Sequence, residues 1–442
     1  MGLRARWVGV VVLASLVVVS CGKPAPAAVP TAAPAVTAVA DGAATPPVAT
    51  AEVQATDIPA ASPTVFARPT STPSNVDSAD ATMVAATSAA LLAATMTPDA
   101  NGDSASMLGE TAVVKLMDGA DGPFYASLAM GMTDSTGTEE DYQSYHPLSI
   151  YQKTSAGLQK ITEYDFKDGQ YISALELLPS YRAGSAFFTV TGGVGAHSSF
   201  GQVFSFDGKA LTLEYAANSD AGGWALRMID VNGDGSLDAV GDATDFYVFC
   251  YACGVRAWYE EVYAWDGNAF VQQKPAPSSD AHIQAAYAAS QIDRWNVVSS
   301  ELALAATPTT DQDTWTVALL TRIASQRQPT ADDASPFMSA LLYGDYDAAV
   351  REIRRVDPAA LVDLQNPNFP ADLSAFGEVV VENVVRLSSA VLAKEELPSA
   401  RFLRGWAQTL LDPQNAAGLQ DLEAVAGVDP FYAAVLEAVK QR

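Results

Sequence analysis

Cysteine, histidine and positive charge are all scarce in this sequence of 442 residues. It contains three cysteines and three histidines, and 25 Lys and Arg residues stand against 51 Asp and Glu, which gives a formal net charge of −26. Because an acidic surface repels phosphate backbones, this balance argues against nucleic-acid binding. After the N-terminal segment, no apolar run approaches the ~18 residues that a transmembrane helix needs. We therefore expect no further membrane-spanning segment.

The residues that usually carry catalysis show no recognisable pattern. His146, His197 and His282 lie in different segments, and none has the HExxH spacing of a zinc hydrolase. Ser198 and Ser199 lack the GxSxG pattern of a nucleophile elbow. The sequence therefore predicts no catalytic residues and favours a non-enzymatic protein. The alternative is an envelope enzyme, a hydrolase or a thiol oxidoreductase, whose site is not recognisable from these patterns.

The N-terminal segment combines positive charge with a short apolar run. Two arginines precede an apolar stretch from Trp7 to Val19, which has about the length of a signal-peptide core. The residues Val18-Val19-Ser20-Cys21 then resemble the lipobox of bacterial lipoproteins. This resemblance implies that residues 1–21 are a lipoprotein signal peptide and that Cys21 is lipidated. It also implies an extracytoplasmic protein, lipid-anchored to a membrane of the bacterial cell envelope. The simpler alternative is an ordinary signal peptide.

Residues 22–108 are rich in Pro, Ala and Thr and have few aromatic or charged side chains. Such a composition cannot bury enough apolar surface to offset the entropy lost on ordering. We therefore expect a disordered tether, stiffened by proline, that holds the following domains away from the membrane. Within this segment, the Ala- and Leu-rich run at 79–96 favours a loose helix.

Residues 109–276 contain an internal repeat of short β-forming runs. Without a gap, Ala186–Val190 aligns with Asp245–Phe249, and Val203–Gly208 aligns with Val262–Gly267. Both copies end in Asp-Gly between alternating apolar runs, which is a hairpin signal. A fainter third copy lies near 148–164. The repeat length suits a four-stranded antiparallel blade, so we expect a β-rich domain built as an incomplete propeller or a sandwich.

An acidic loop lies within the second copy of the repeat. It reads Asp230-Val231-Asn232-Gly233-Asp234-Gly235-Ser236-Leu237-Asp238 and resembles the calcium loop of FG-GAP and VCBS repeats. Calcium takes six to eight oxygen ligands at flexible spacing. The predicted ligands are Asp230, Asn232, Asp234, Ser236 and Asp238, so calcium is the expected cofactor, at one site. The alternative is a polar turn that binds no metal.

Cys250 and Cys253 form a CxxC pair. A thioredoxin-type pair needs a helix that starts at the first cysteine and lowers its pKa, whereas the residues that follow are typical of a strand. An exported protein meets oxidising conditions, so we expect a small disulfide between Cys250 and Cys253. Structural zinc would need a second ligand pair, which is not nearby.

In residues 277–442 the spacing of apolar residues becomes typical of helices. The turn Gly344–Val350, followed by Asp357-Pro358, resembles the second half of a tetratricopeptide repeat, although the second helix is shorter than that family's pattern. Stacked helical pairs of this kind form a concave face that binds proteins or peptides; the alternative is a compact bundle. The predicted helices are 280–290, 294–305, 315–325, 337–343, 346–356, 376–394, 400–411, 416–426 and 431–440.

These features together predict a multidomain protein with a tether, a β domain and an all-α domain. The favoured function is a membrane-anchored, non-enzymatic scaffold or protein-binding module braced by calcium. Its expected partners are a membrane, through the lipid, and a protein or peptide, on the helices. A purely structural envelope component is a third possibility, and it predicts that no partner binds saturably.

Overall fold

The structure is a computed structural model that describes residues 79, 81–87, 111–129, 146–166, 170–194, 198–220, 224–244, 257–374 and 377–442. All of them belong to one compact unit, Ala67–Arg442. The predicted order of the fold is confirmed: antiparallel sheets come first and helices follow. Cys21, Cys250 and Cys253 lie outside the described residues. Among the residues described, none of the helices has both the length and the apolarity to cross a membrane.

The β region consists of three antiparallel sheets, each made of four strands that follow one another along the chain. Sheet 1 contains β1 (Thr111–Gly119), β2 (Gly122–Ala129), β3 (His146–Thr154) and β4 (Gly157–Phe166). Sheet 2 contains β5 (Gln170–Leu178), β6 (Ala186–Val194), β7 (Ser198–Phe206) and β8 (Leu211–Ser219). Sheet 3 contains β9 (Leu226–Ile229), β10 (Asp238–Asp242), β11 (Glu260–Trp265) and β12 (Phe270–Gln273).

The two Asp-Gly turns found in the sequence occupy the same place in two sheets. Each joins the third strand to the fourth, with Gly208 at φ 90° and Gly267 at φ 100°. The Asp207 carboxylate accepts backbone N–H groups at 2.8 and 2.9 Å, and Asp266 accepts the equivalent pair at the same two distances. These bonds lower the pKa of both carboxyl groups. The hairpins predicted from these turns are present.

Strand pairing corrects one part of the ungapped repeat alignment. Val203 of β7 pairs with Thr189 of β6, whereas the equivalent Val262 of β11 pairs with Val240 of β10. The counterpart of β6 is therefore Asp238–Asp242, and not the aligned run 245–249, which lies outside the described residues. The alignment is wrong here because residues 243–259 connect β10 to β11, whereas only residues 195–197 connect β6 to β7.

Sheet 2 buries side chains on both of its faces. Phe188 and Phe204 stack at 5.6 Å and belong to the core shared with sheet 1. Their sequence neighbours Phe187 and Val203 point the other way, because strand side chains alternate, and pack against Leu226 and Ala239 of sheet 3. The three sheets are thus packed face to face, with sheet 2 in the middle.

A short helix, α1, covers residues 81–87, inside the segment predicted to be a tether. Val84 is fully buried and packs with Tyr125 and Tyr151 of sheet 1. Of the run 79–96, expected to be a loose helix, the structure describes residues 79 and 81–87, and residues 81–87 are helical. Apolar contact with sheet 1 stabilises α1, because a helix this short is marginal by itself.

The helical region contains eleven further helices among the residues described. They are α2 (Ala281–Ser290), α3 (Trp295–Leu304), α4 (Asp311–Arg327), α5 (Pro336–Leu342), α6 (Tyr346–Ile353), α7 (Pro358–Leu361), α8 (Ala371–Ser374), α9 (Gly377–Leu392), α10 (Pro398–Leu411), α11 (Ala416–Val425) and α12 (Pro430–Gln441). Nine match the predicted helices within a few residues. The short α7 and α8 were not predicted.

Gly344 makes a close contact that the sequence did not predict. It lies in the α5–α6 turn at φ 77°, and a Cβ atom placed on it would lie 2.4 Å from the carbonyl oxygen of Asp293. Asp293 itself has φ 56°, in the turn between α2 and α3. Only glycine leaves room for these two turns to touch. Beyond this contact, one core cluster joins α5, α6, α9, α10, α11 and α12, with Trp406 fully buried near its centre.

Candidate metal loop and the junction between sheet 3 and the helices

The acidic loop connects the first two strands of sheet 3. β9 ends at Ile229 and β10 begins at Asp238, so four predicted ligands lie in the connecting turn and the fifth, Asp238, is the first residue of β10. Gly233 and Gly235 have φ of 79° and 90°, a conformation that other residues rarely adopt. The sequence places glycine at both points, which lets the chain reverse over so few residues.

The loop folds around the carboxylate of Asp230. Its Oδ1 accepts the backbone N–H groups of Gly233 at 2.8 Å and Asp234 at 3.1 Å, and its Oδ2 accepts that of Gly235 at 2.9 Å. Asn232 donates its side-chain amide to Asp234 Oδ2 at 2.9 Å, while Ser236 donates its backbone N–H to Asp234 Oδ1 at 2.7 Å. These bonds lower the pKa of Asp234, the Asn232 bond most strongly.

Asp238 differs from the other loop carboxylates because it is buried. Its residue surface is 1 % exposed, and its Oδ2 accepts the backbone N–H of Val231 at 2.9 Å. Burial raises the pKa of Asp238 to about 6, and the negative charges of Asp234 and Asp230 add to the rise. Among the described residues, no Lys or Arg forms an ion pair with Asp230, Asp234 or Asp238.

The donor set is chemically suited to calcium. Three carboxylates, one amide oxygen and a backbone carbonyl are the hard oxygen ligands that calcium prefers. Within the part of the chain that the structure describes, however, no three His, Cys, Asp or Glu side chains converge closely enough to hold a metal. The structure therefore brings all five predicted residues into one loop, with their side chains engaged in bonds to the loop itself.

Two contacts attach this loop to other parts of the molecule. Tyr181, in the β5–β6 connection, donates its hydroxyl to the carbonyl oxygen of Leu237 at 2.7 Å. Val231 packs against a cluster made by Val240, Val262 and Leu319 of α4. The loop therefore touches both the neighbouring sheet 2 and the first layer of helices. Nothing in the sequence singled out Tyr181 or Val231 for these contacts.

A buried ion pair closes the same junction between sheet 3 and α4. The Glu260 side chain is 1 % exposed and accepts bonds from Arg322 Nε and Nη2 and from Gln326 Nε2. Next to it, Arg327 donates to the carbonyl oxygen of Trp258 at 2.8 Å. Glu260 carried no signal in the sequence, because its partner lies 62 residues further along the chain.

Of the three histidines, His282 is the one whose side chain the structure describes. Its Nδ1 lies 2.9 Å from Glu301 Oε2, and the two residues project from α2 and α3. Both side chains are partly exposed. Among the described residues, no hydroxyl or thiol is bonded to this pair. The pair therefore lacks the nucleophile that a triad would need.

Comparison with known proteins gives no relationship on which to base a function. No protein-family model matches this chain, and no curated protein matches it. The resemblances to lipoproteins, to FG-GAP and VCBS repeats and to tetratricopeptide repeats stay predictions.

Proposed function

We propose that this protein is a non-enzymatic, extracytoplasmic binding module. Cys21 would anchor it to a membrane of the bacterial cell envelope through lipid, and the helical region would hold a protein or peptide partner. A calcium ion at residues 230–238 would brace the β region against the helices. The observation that carries this proposal is the loop itself: three carboxylates, one of them buried, lie without a cationic partner among the described residues and beside the sheet 3–α4 junction.

The residues that would hold the ion are Asp230, Asn232, Asp234, the carbonyl of Ser236 and Asp238. Burial is the main cause of the raised pKa of Asp238, and the charges of Asp234 and Asp230 add to it; a bound cation would oppose both by stabilising the ionised carboxylate. Because Val231 lies between two of these ligands and packs against the cluster that includes Leu319, fixing the loop would also fix one wall of that junction. Calcium would thus act on structure, with no role in a reaction.

Thermal unfolding with calcium and with a chelator tests the metal site. A ligand that binds only the folded state stabilises it by RT ln(1 + [L]/Kd). With a Kd of about 1 mM, typical of extracellular modules, 10 mM calcium would add about 1.4 kcal/mol and raise Tm by a few degrees. Asp234→Asn should remove this shift. Asp266→Asn is the matched control, because Asp266 closes a similar turn outside the acidic loop.

Two outcomes would overturn the calcium site: no shift at 10 mM calcium, or a shift of equal size in the Asp234→Asn variant. The anchor is tested separately by mass spectrometry of the protein purified from membranes. Fatty acid on Cys21 is expected, and an unmodified thiol at Cys21 would contradict the anchor. Crosslinking and capture from the native envelope tests the partner. A saturable partner is expected, and the purely structural reading predicts that there is none.

A further inference from the structure

A cleft with both charged and apolar walls lies among three helices of the C-terminal region. It has a volume of about 380 Å³, and its walls come from α6, from the N-terminal turn of α10 and from the N-terminal turn of α12. We call it the helical cleft. Arg351, Ser399, Val428 and Tyr432 are among the side chains that line it.

The N-terminus of α10 enters the cleft without a side-chain cap. Its N-cap residue is Leu397, which makes no capping bond, and Pro398 follows at the first helical position. By contrast, Asp345 caps α6 and Asp429 caps α12 through their carboxylates. The first backbone N–H groups of a helix have no partner inside it and carry the positive end of its dipole. An anion placed there would be stabilised by these groups.

Ser399 gives independent evidence for a missing partner at this helix end. The residue is 1 % exposed and lines the cleft, yet its Oγ has no hydrogen-bond partner. A buried hydroxyl left without a partner is costly. Because Ser399 is the second residue of α10, the helix has no preceding turn whose carbonyl could accept from it. An acceptor oxygen held in the cleft at this helix end would satisfy the hydroxyl.

The two arginines that line the cleft differ in how strongly they already interact with other side chains. Arg354 donates to Asp429 and also lies 5.2 Å from the ring centre of Phe431. Arg351 is 65 % exposed, and its only ion pair among the described residues is a 3.9 Å contact with Asp345. Arg351 is therefore the cation with capacity to bind a further anion.

The remaining walls restrict the charge and the shape of a ligand. Asp347 also lines the cleft, so a second negative charge on the ligand would be repelled. Val350, Leu397 and Val428 add apolar surface, and Val428 is 62 % exposed at the rim. The volume exceeds what a single carboxylate fills. These walls favour one carboxylate carried on an apolar group.

We propose that the helical cleft binds an organic monoanion. Its carboxylate lies at the N-terminus of α10, where it accepts bonds from the backbone N–H groups of Ser399 and Ala400, from Ser399 Oγ and from Arg351; Pro398 has no N–H to donate. Its apolar group lies against Leu397 and Val428. Such a carboxylate could belong to a free amphiphilic acid or to the C-terminal residue of a peptide. The cleft is independent of the calcium proposal, because it shares no residue with the acidic loop or with the junction at α4.

Calorimetric titration of the full chain tests the cleft with four probes: N-acetyl-leucine, its uncharged amide, an N-acetylated pentapeptide ending in leucine, and that peptide's C-terminal amide. In each pair the acid should bind at least tenfold more tightly than the amide. If the pentapeptide acid binds at least tenfold more tightly than N-acetyl-leucine, the natural ligand is the C-terminal end of a peptide. If the two acids bind with equal affinity, the natural ligand is a free acid.

Three variants complete the test. Arg351→Gln should weaken binding of the acids by about three- to tenfold, and Ser399→Ala by a few-fold. Arg355→Gln should leave binding unchanged, because Arg355 is an exposed arginine nearby that does not line the cleft. If acid and amide bind equally, if neither acid binds at 10 mM, or if Arg351→Gln binds like the unchanged chain, the proposal is overturned. Arg351 is exposed, so its variant keeps the test valid even where Ser399→Ala unfolds.

Discussion

Sheets 2 and 3 share one topology but reach stability by different means. All four strands of sheet 2 are nine residues long, whereas those of sheet 3 have four, five, six and four residues. Sheet 2 also buries aromatic side chains on both faces, within clusters formed by the three sheets themselves. Sheet 3, with its shorter strands, has fewer hydrogen bonds between strands and contributes fewer buried side chains to these clusters. Its outer face packs on α4 instead.

The connections between the first and second strands show the same contrast. In sheet 2, Ser180 Oγ lies 2.7 Å from the carbonyl oxygen of Arg182 and 2.8 Å from that of Ser185, and its single proton can be donated to either, so a neutral hydroxyl holds the turn. In sheet 3, the carboxylate of Asp230 accepts three backbone N–H groups, and two more carboxylates lie close by. The first turn is thus held by a neutral hydroxyl in sheet 2 and by a carboxylate in sheet 3, in each case through bonds within the turn itself.

Removing the ion pair between Glu260 and Arg322 of α4 should give the largest loss in the free energy of unfolding. Glu260→Ala leaves Arg322, which is 14 % exposed, as a buried charge without its partner. Breaking a buried pair in this way costs about 3–5 kcal/mol. Urea unfolding measures the change. Glu163→Ala in sheet 1 is the control, because its pair with Lys160 is exposed and should contribute less than about 1 kcal/mol. Equal losses in the two variants would mean that sheet 3 does not depend on α4.

Disturbing the contact between sheets 2 and 3 should give the second-largest loss of stability. A Cβ atom on Gly201 of β7 would lie 2.2 Å from Leu226 Cβ, so Gly201→Ala forces the two sheets apart. Overpacking of this kind costs about 1–3 kcal/mol. At Gly241 of β10 the nearest atom is the Tyr215 hydroxyl at 2.8 Å, the end of a side chain that can move. Gly241→Ala should therefore cost less, and the reverse order would show that the sheets are not in close contact.

Much of the helical region follows from local signals in the sequence. Asp280 accepts the N–H groups of His282 and Ile283 and starts α2 where predicted. α4 begins four residues before the prediction because Thr310 caps it and Asp311 and Asp313 lie in its first turn. That signal was present in the sequence, since a capping threonine followed by acidic residues is typical of a helix start.

The rest could not be predicted because it depends on residues far apart in the chain. The Asp-Gly turns fixed two hairpins, yet the second strand of sheet 3 was displaced by a long connection that an ungapped alignment does not detect. The five loop residues were found together because they are neighbours in sequence. The Tyr181–Leu237 and Glu260–Arg322 contacts, which attach that loop and that sheet to their surroundings, span 56 and 62 residues.

Changing the residues that hold the two turns should give a moderate effect. Asp230→Ala removes the acceptor of three loop N–H groups, of which that of Asp234 retains Asn232 Oδ1 at 3.1 Å. We expect a loss of about 1–2 kcal/mol in urea unfolding, measured with a chelator present. Ser180→Ala removes one exposed hydroxyl from the equivalent turn of sheet 2 and should cost less than about 1 kcal/mol. If the serine variant lost as much as the aspartate variant, the two turns would be equally dependent on their side chains.

The smallest expected effect is a pH dependence from Asp238 in sheet 3, opposite in sign to that of Asp207 in sheet 2, whose pKa is lowered. In the chelated protein the pKa of Asp238 is raised to about 6 from 3.8. Between these two values the unfolded chain has already lost the proton that the folded chain still holds. The free energy of unfolding should therefore fall as pH rises from about 4 to about 6, and then stay level. After screening by solvent, we expect this group to contribute about 1 kcal/mol to the fall.

Asp238→Asn isolates this contribution, because it removes the titrating group and retains an oxygen that can accept the Val231 N–H. Urea unfolding at several pH values should show a shallower fall in the variant, while the other acidic groups titrate equally in both proteins. Adding calcium to the unchanged chain should act in the same direction, since a bound cation stabilises the ionised form. An identical profile in the variant and in the chelated protein would mean that Asp238 titrates like an exposed carboxyl. The contrast between sheet 2, which packs between two other sheets, and sheet 3, which packs on helices, would then rest on the contacts with α4 alone.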